Sequence, residues 1–184
     1  MLAKEMVKQS LPLIIFCGIG AILAGSTLGV MKDLIKEIPG LIVIIPAIIA
    51  MRGNISTAFG SRLGSAYHLG IINADNMWNE ELFENIIGSI FLSFFVSIII
   101  GILAYVTSFL LNVYPDPVKI ILIVLISGVL SAIILTVMTI GIIYLVFKRG
   151  YDPDNITGPA LATFGDIITM LCIFGSALFV EVIL

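Results

Sequence analysis

Five stretches of this chain are each apolar over a length that spans a bilayer, and that repeated length decides the class of fold. An α-helix rises about 1.5 Å per residue, so some 20 apolar residues match a hydrocarbon core about 30 Å thick. The stretches are residues 11–31, 39–69, 83–111, 118–147 and 159–184. Charged residues make up 11% of the 184, against roughly 25% in soluble domains. An all-α integral membrane protein follows, a single transmembrane domain over residues 1–184 with five transmembrane helices. The connections are short, so consecutive helices are expected to be antiparallel neighbours, and no soluble domain is expected.

Charge narrows the function classes. The net charge of −3 is small, and no basic cluster suits nucleic acid. Cys17 and Cys172 both fall in apolar stretches and read as packed apolar side chains, not a disulfide or metal pair. Lys4 and Lys8 before the first stretch imitate a signal peptide, but 11–31 is too long for a signal core and is expected to be retained. Lys4, Lys8, Lys148 and Arg149 fall on one side, and Lys32, Lys36 and Lys119 on the other. The positive-inside rule then leans to a cytoplasmic N-terminus, in the plasma membrane.

Asp166 lies in the middle of the fifth stretch. A carboxylate at that depth costs about 2.5–3.5 kcal/mol on insertion scales, so its default meaning is a cation or proton site. Pro159, Ala162, Thr163, Thr169 and Met170 share its helical face. The Ala162 carbonyl, one turn earlier, and the Thr163 and Thr169 hydroxyls would add oxygen ligands. Oxygen-only chemistry suits hard cations, and Mg²⁺ keeps much of its water, so one carboxylate per helix can serve a hydrated ion. Glu181, near the end of the stretch, is expected to reach the headgroups. Asp152, Asp154 and Asn155 read as a loop and cap signal before the fifth helix, with Asn155 or Thr157 as the cap.

The second stretch carries Arg52-Gly53-Asn54-Ile55-Ser56-Thr57 at membrane depth. On a helical wheel Asn54, Thr57, Ser61, Ser65 and His68 form one stripe, opposite Ile55, Phe59, Leu63 and Ala66. Such a stripe must line water or pack on other polar faces. Pro46, followed by Gly53, suggests a kink or break whose freed carbonyls can hold a cation. Arg52 needs a partner, either hydrogen-bonding groups or Asp166 itself. Ala21, Gly25 and Gly29, and Gly60 and Gly64, read as helix-packing residues.

Pro46-Ala47, Met51–Thr57 and Ser61–Gly70 together resemble the second-helix motif of the MgtE and solute carrier 41 magnesium transporters. Phe164-Gly165-Asp166-Ile167-Ile168-Thr169 resembles their fifth-helix motif. The resemblance implies an MgtE-like membrane domain and a divalent cation transporter, with Mg²⁺ as the transported ion and no organic cofactor. It implies two five-helix units paired around a central pore, as a homodimer or with a related chain. Carried over, Asp166 is the ion ligand and Ala162 the carbonyl donor, with Asn54, Thr57, Ser61, Thr163, Gly53 and Pro46 lining or supporting the pore. MgtE proteins also have a cytoplasmic magnesium-sensing region. Only a short tail precedes the first stretch here, so gating through such modules is not expected. Arg52, where bacterial members tend to have glycine, is closer to the solute carrier 41 pattern.

Two other classes compete for the same residues. A non-conducting assembly subunit would tolerate loss of Asp166. An intramembrane aspartyl protease needs two acids in one site. Tyr151-Asp152, Pro159-Ala160-Leu161 and Gly165-Asp166 imitate its motifs, but in the wrong order and with Asp152 in a loop. No Walker motif supports an ATP-driven pump, and an enzyme is not expected.

Overall fold

The computed structural model describes residues 2–73, 76–148 and 153–184. Asp75, Arg149 and Asp152 lie outside the described residues, as do the side chains of Lys4, Lys8, Asp154, Asn155 and Thr157. The helices are α1 (Leu2–Val30), α2 (Lys32–Glu37), α3 (Leu41–His68), α4 (Glu80–Leu110), α5 (Pro117–Lys148) and α6 (Pro153–Ile183). No strand occurs among the described residues. Helices α3 to α6 are long and apolar enough to cross a membrane, and α1 adds the described apolar stretch Ile14–Val30. The 29 residues of α1 extend about 43 Å at the usual rise, also enough to cross.

Local chemistry sets the helix ends. Gly70 (φ 73°) and Asn112 (φ 59°) take the left-handed conformation that ends α3 and α4. After α3 the Ile71 N–H bonds the Ala66 carbonyl and the Gly70 N–H bonds that of Tyr67, and Val113 and Asn112 repeat the pattern after α4. These pairs satisfy carbonyls that a helix end otherwise leaves bare. Asn79 caps α4 by accepting from the Leu82 N–H, and Asp116 caps α5 by accepting from Val118 and Lys119.

Helices α3 to α6 form the bundle, with α5 against α3, α4 and α6, while α1 packs chiefly along α6. One apolar cluster gathers Ile44, Ile48, Ile120, Ile123, Ile173 and Ala177. Another gathers Phe59, Leu63, Ile72, Met77, Leu82 and Ile143 towards the α3–α4 connection. Lipid tails give no hydrophobic drive between helices, so close packing of small residues must supply the attraction. On α4 these are Ser89, Ser93, Ser97, Gly101, Ala104 and Ser108, all buried. Gly101 lets α4 approach the Ile121 backbone, and Gly128 accommodates Ser97. At the opposite end of the bundle from the α3–α4 connection, the Lys119 Nζ donates to Glu181 at 3.0 Å and ties α5 to α6.

Several expectations change. The helix that carries the fifth stretch begins before it, at Pro153. Residues 153–157 are therefore helical, and neither Asn155 nor Thr157 is its cap. Pro159 lies inside α6. Pro46 also lies inside an uninterrupted α3, so the break expected between Pro46 and Gly53 is absent. Proline there removes only one backbone donor near the helix start. The connection after the first stretch contains the short helix α2. Glu181 gains a partner that was not expected, Lys119 at the end of α5.

Within the chain Gly25 and Gly29 meet nothing within 4 Å, so this repeat does not pack α1 in its own bundle. Gly20 does that work, facing the Thr163 side chain on α6 so closely that any Cβ there would collide with it. Phe16 stacks edge-on against Phe164 beside it. Overpacked contacts cost about 1–3 kcal/mol. Gly20→Val is expected to lower stability in detergent by about that amount through separation of α1 from α6. An unchanged unfolding transition would show that the α1–α6 contact contributes little.

Candidate ion site and polar face

Asp166 is half-buried. It faces a cavity of about 160 Å³ walled by Ala21, Ala24, Gly25 and Leu28 of α1, Ile49 of α3, and Met170. The carboxylate thus lies on the floor of a groove between α1 and α3. It accepts no hydrogen bond and makes no ion pair among the described residues. The walls are apolar, and the cavity has room for several waters. A carboxylate there has unused acceptor capacity for a cation's water shell.

Its neighbours on α6 divide. Ala162 is exposed, one turn away. Thr163 is buried against Gly20, and its hydroxyl donates to the Pro159 carbonyl at 3.0 Å. The hydroxyl expected to supplement Asp166 is thus engaged within α6. Thr169 is fully buried with an unpartnered hydroxyl. Among the described residues no group of three or more His, Cys, Asp or Glu side chains stands together to hold a metal.

The stripe on α3 lies on the outside of the single chain. Asn54, Thr57, Ser61, Ser65 and His68 are all exposed, and Ile55, Phe59, Leu63 and Ala66 are buried. Pro46 and Ala50 continue the exposed face, with Gly53 half-buried at its flank. Ile49, on that same flank, walls the Asp166 cavity. Ile49 is the α3 residue that meets the cavity, so the stripe runs along α3 beside the groove without lining it.

Arg52 faces the other way and is 2% exposed. Its guanidinium donates to the Ser93 Oγ at 2.7 Å and to the Ser56 Oγ at 3.2 Å, and Nε has no partner. It makes no ion pair among the described residues, so the suggested pairing with Asp166 is absent. Ser93 in turn donates to the Ser89 carbonyl at 2.7 Å. The receiving surface on α4 was missed in sequence. Its signal was the four-residue spacing of Ser89, Ser93, Ser97 and Gly101.

A bundle of long apolar helices with a carboxylate facing a groove at membrane depth marks an integral membrane protein with the kind of acid that ion pathways use. Comparison with known proteins agrees. The family model for the MgtE divalent cation transporters matches residues 45–176, and the chain belongs to that family. It is 29% identical over 175 residues to solute carrier family 41 member 2 of Xenopus laevis, covering 90% of this chain and 30% of that protein. Member 2 of Gallus gallus is 28% identical with the same coverage. Member 3 of Rattus norvegicus is 26% identical over 166 residues, covering 85% of this chain and 35% of its own length. The chain therefore spans about a third of the length of these relatives. The family is one of divalent cation transporters.

Proposed function

We propose that the chain carries divalent cations, Mg²⁺ first, across the plasma membrane through a pore between two five-helix units. Asp166 is its ion site, and the N-terminus is cytoplasmic. The observation that carries this reading is a carboxylate in the membrane-spanning part of α6 that faces a groove beside α3, the helix whose exposed face carries the polar stripe from Asn54 to His68. A polar helix face cannot turn to lipid tails cheaply. Pairing two copies across that face removes it from lipid and encloses a polar passage. The two Asp166 carboxylates then match the charge of one divalent ion. Mg²⁺ dehydrates reluctantly, so these acids act on its water shell, with the Ala162 carbonyl one turn away. Asn54, Thr57 and Ser61 line the passage. Pro46 and Gly53 shape its wall, and Thr163 supports it by seating α1 on α6. A related five-helix chain can replace the second copy.

Mg²⁺ uptake into proteoliposomes containing only this purified chain is the direct test. Uptake by wild type supports a self-sufficient pore; none from folded, inserted protein refutes it. The pairing has its own check. Ser61→Cys, in a background with Cys17 and Cys172 replaced by alanine, is expected to form a covalent dimer with a bifunctional maleimide long enough to span the passage. A control cysteine at Phe95, on an exposed face of α4, is expected to stay monomeric. Equal cross-linking at both positions would remove the case for a specific α3 interface.

A further inference from the structure

At the end of the bundle where α3 meets α4, a groove of about 360 Å³ runs along α5. It is lined by Val137, Ile140, Gly141 and Tyr144 on α5 and by Met77 and Trp78 from the α3–α4 connection. The α5 residues lie on one helical face and extend inward over about 10 Å. Gly141 leaves the floor open, since nothing stands within 4 Å of where its Cβ would be. The opposite wall is fixed. Met77 is buried in the apolar cluster beneath, Trp78 packs on Phe83 at 6.3 Å, and Asn79 donates to the Ile71 carbonyl. Trp78 is nevertheless 68% exposed. Just beyond the groove, the Lys148 ammonium lies 6.0 Å over the Tyr144 ring.

This order of groups matches a lipid. Tryptophan, tyrosine and lysine mark the level of the headgroups, and the apolar slot runs from that level into the hydrocarbon. A tail in the slot would place its phosphate near Lys148, whose ammonium lies over Tyr144 at the mouth. We propose that the groove is a retained-lipid site: one acyl chain of a glycerophospholipid fills the slot and its phosphate is held by Lys148. Lipid bound there bridges α5 and the α3–α4 connection. This does not depend on the ion pathway.

Trp78 is the only tryptophan in the chain, so its fluorescence reports on the groove alone. The detergent-solubilised chain is titrated with phosphatidylcholine brominated on an acyl chain. Saturable quenching is expected, displaced by unbrominated phosphatidylcholine. Lys148→Gln is expected to weaken binding about fivefold, the effect of one lysine near a membrane surface. Brominated diacylglycerol, which lacks the phosphate, is expected to bind wild type about as weakly. Gly141→Leu, whose Cβ would meet nothing within 4 Å, puts a side chain into the slot and is expected to abolish saturable quenching. Quenching that rises only in proportion to the lipid-to-detergent ratio, equally in wild type and Lys148→Gln, would mean exchanging bulk lipid and overturn the site. Equal affinities for the two brominated lipids would overturn the phosphate contact.

Discussion

Asp166→Asn is expected to weaken Mg²⁺ transport by roughly 10- to 100-fold in apparent affinity while leaving the protein as stable as before, or more so. The two halves have separate causes. A charge-assisted hydrogen bond is worth about 1.5–3 kcal/mol, and each 1.4 kcal/mol is a factor of ten. Asparagine keeps the shape and one acceptor oxygen but removes the charge. The carboxylate makes no hydrogen bond or ion pair among the described residues, so the fold loses no partner. Removing a membrane-depth charge also removes its insertion cost. A folding defect and a site defect are therefore distinguishable, because only the first lowers the unfolding transition. Glu181→Gln is the matched control. It gives up the Lys119 pair at the far end of α6 and is expected to leave apparent affinity near wild type. Equal losses in the two variants would mean that Asp166 has no special relation to the ion.

The features legible in the sequence were those set by one helix at a time. Length and hydropathy gave the long helices, because the bilayer imposes both. The wheel of α3 placed Asn54, Thr57 and Ser61 on one face and Ile55, Phe59 and Leu63 on the other, and the structure exposes the first set and buries the second. What a helix meets is a different kind of information. Arg52 finds Ser93 across 41 residues of chain, and nothing local to either names the other. The small residues of α1 show the same limit. Spacing favoured Ala21, Gly25 and Gly29, yet the close contact is at Gly20, because Thr163 happens to stand opposite. Proline was over-read. Pro46 lies near the start of α3, where one missing donor is tolerated and the chain need not break.

Ser93→Ala is expected to destabilise the bundle more than Arg52→Met does, although alanine is the smaller change. Arg52 is a buried cation held by two hydroxyls, with no carboxylate beside it among the described residues. Removing the 2.7 Å acceptor leaves the charge in place with Ser56 alone, so the variant loses a charge-assisted hydrogen bond of about 1.5–3 kcal/mol. Methionine instead removes the charge and keeps most of the volume. Replacing buried ionic groups by apolar ones of similar size is often neutral or stabilising, and Ser93 still bonds the Ser89 carbonyl. The double variant should therefore resemble Arg52→Met, because without the guanidinium Ser93 has no charge to satisfy. Unfolding of the four proteins in mixed detergent micelles closes this cycle. If Arg52→Met proved the more damaging single change, the guanidinium would be contributing net stability to the α3–α4 contact. The cost assigned here to its burial would then be wrong. The expected order instead makes Arg52 a charge kept at a stability cost, with Ser93 limiting that cost and fixing the roll of α3 that turns Asn54 outward.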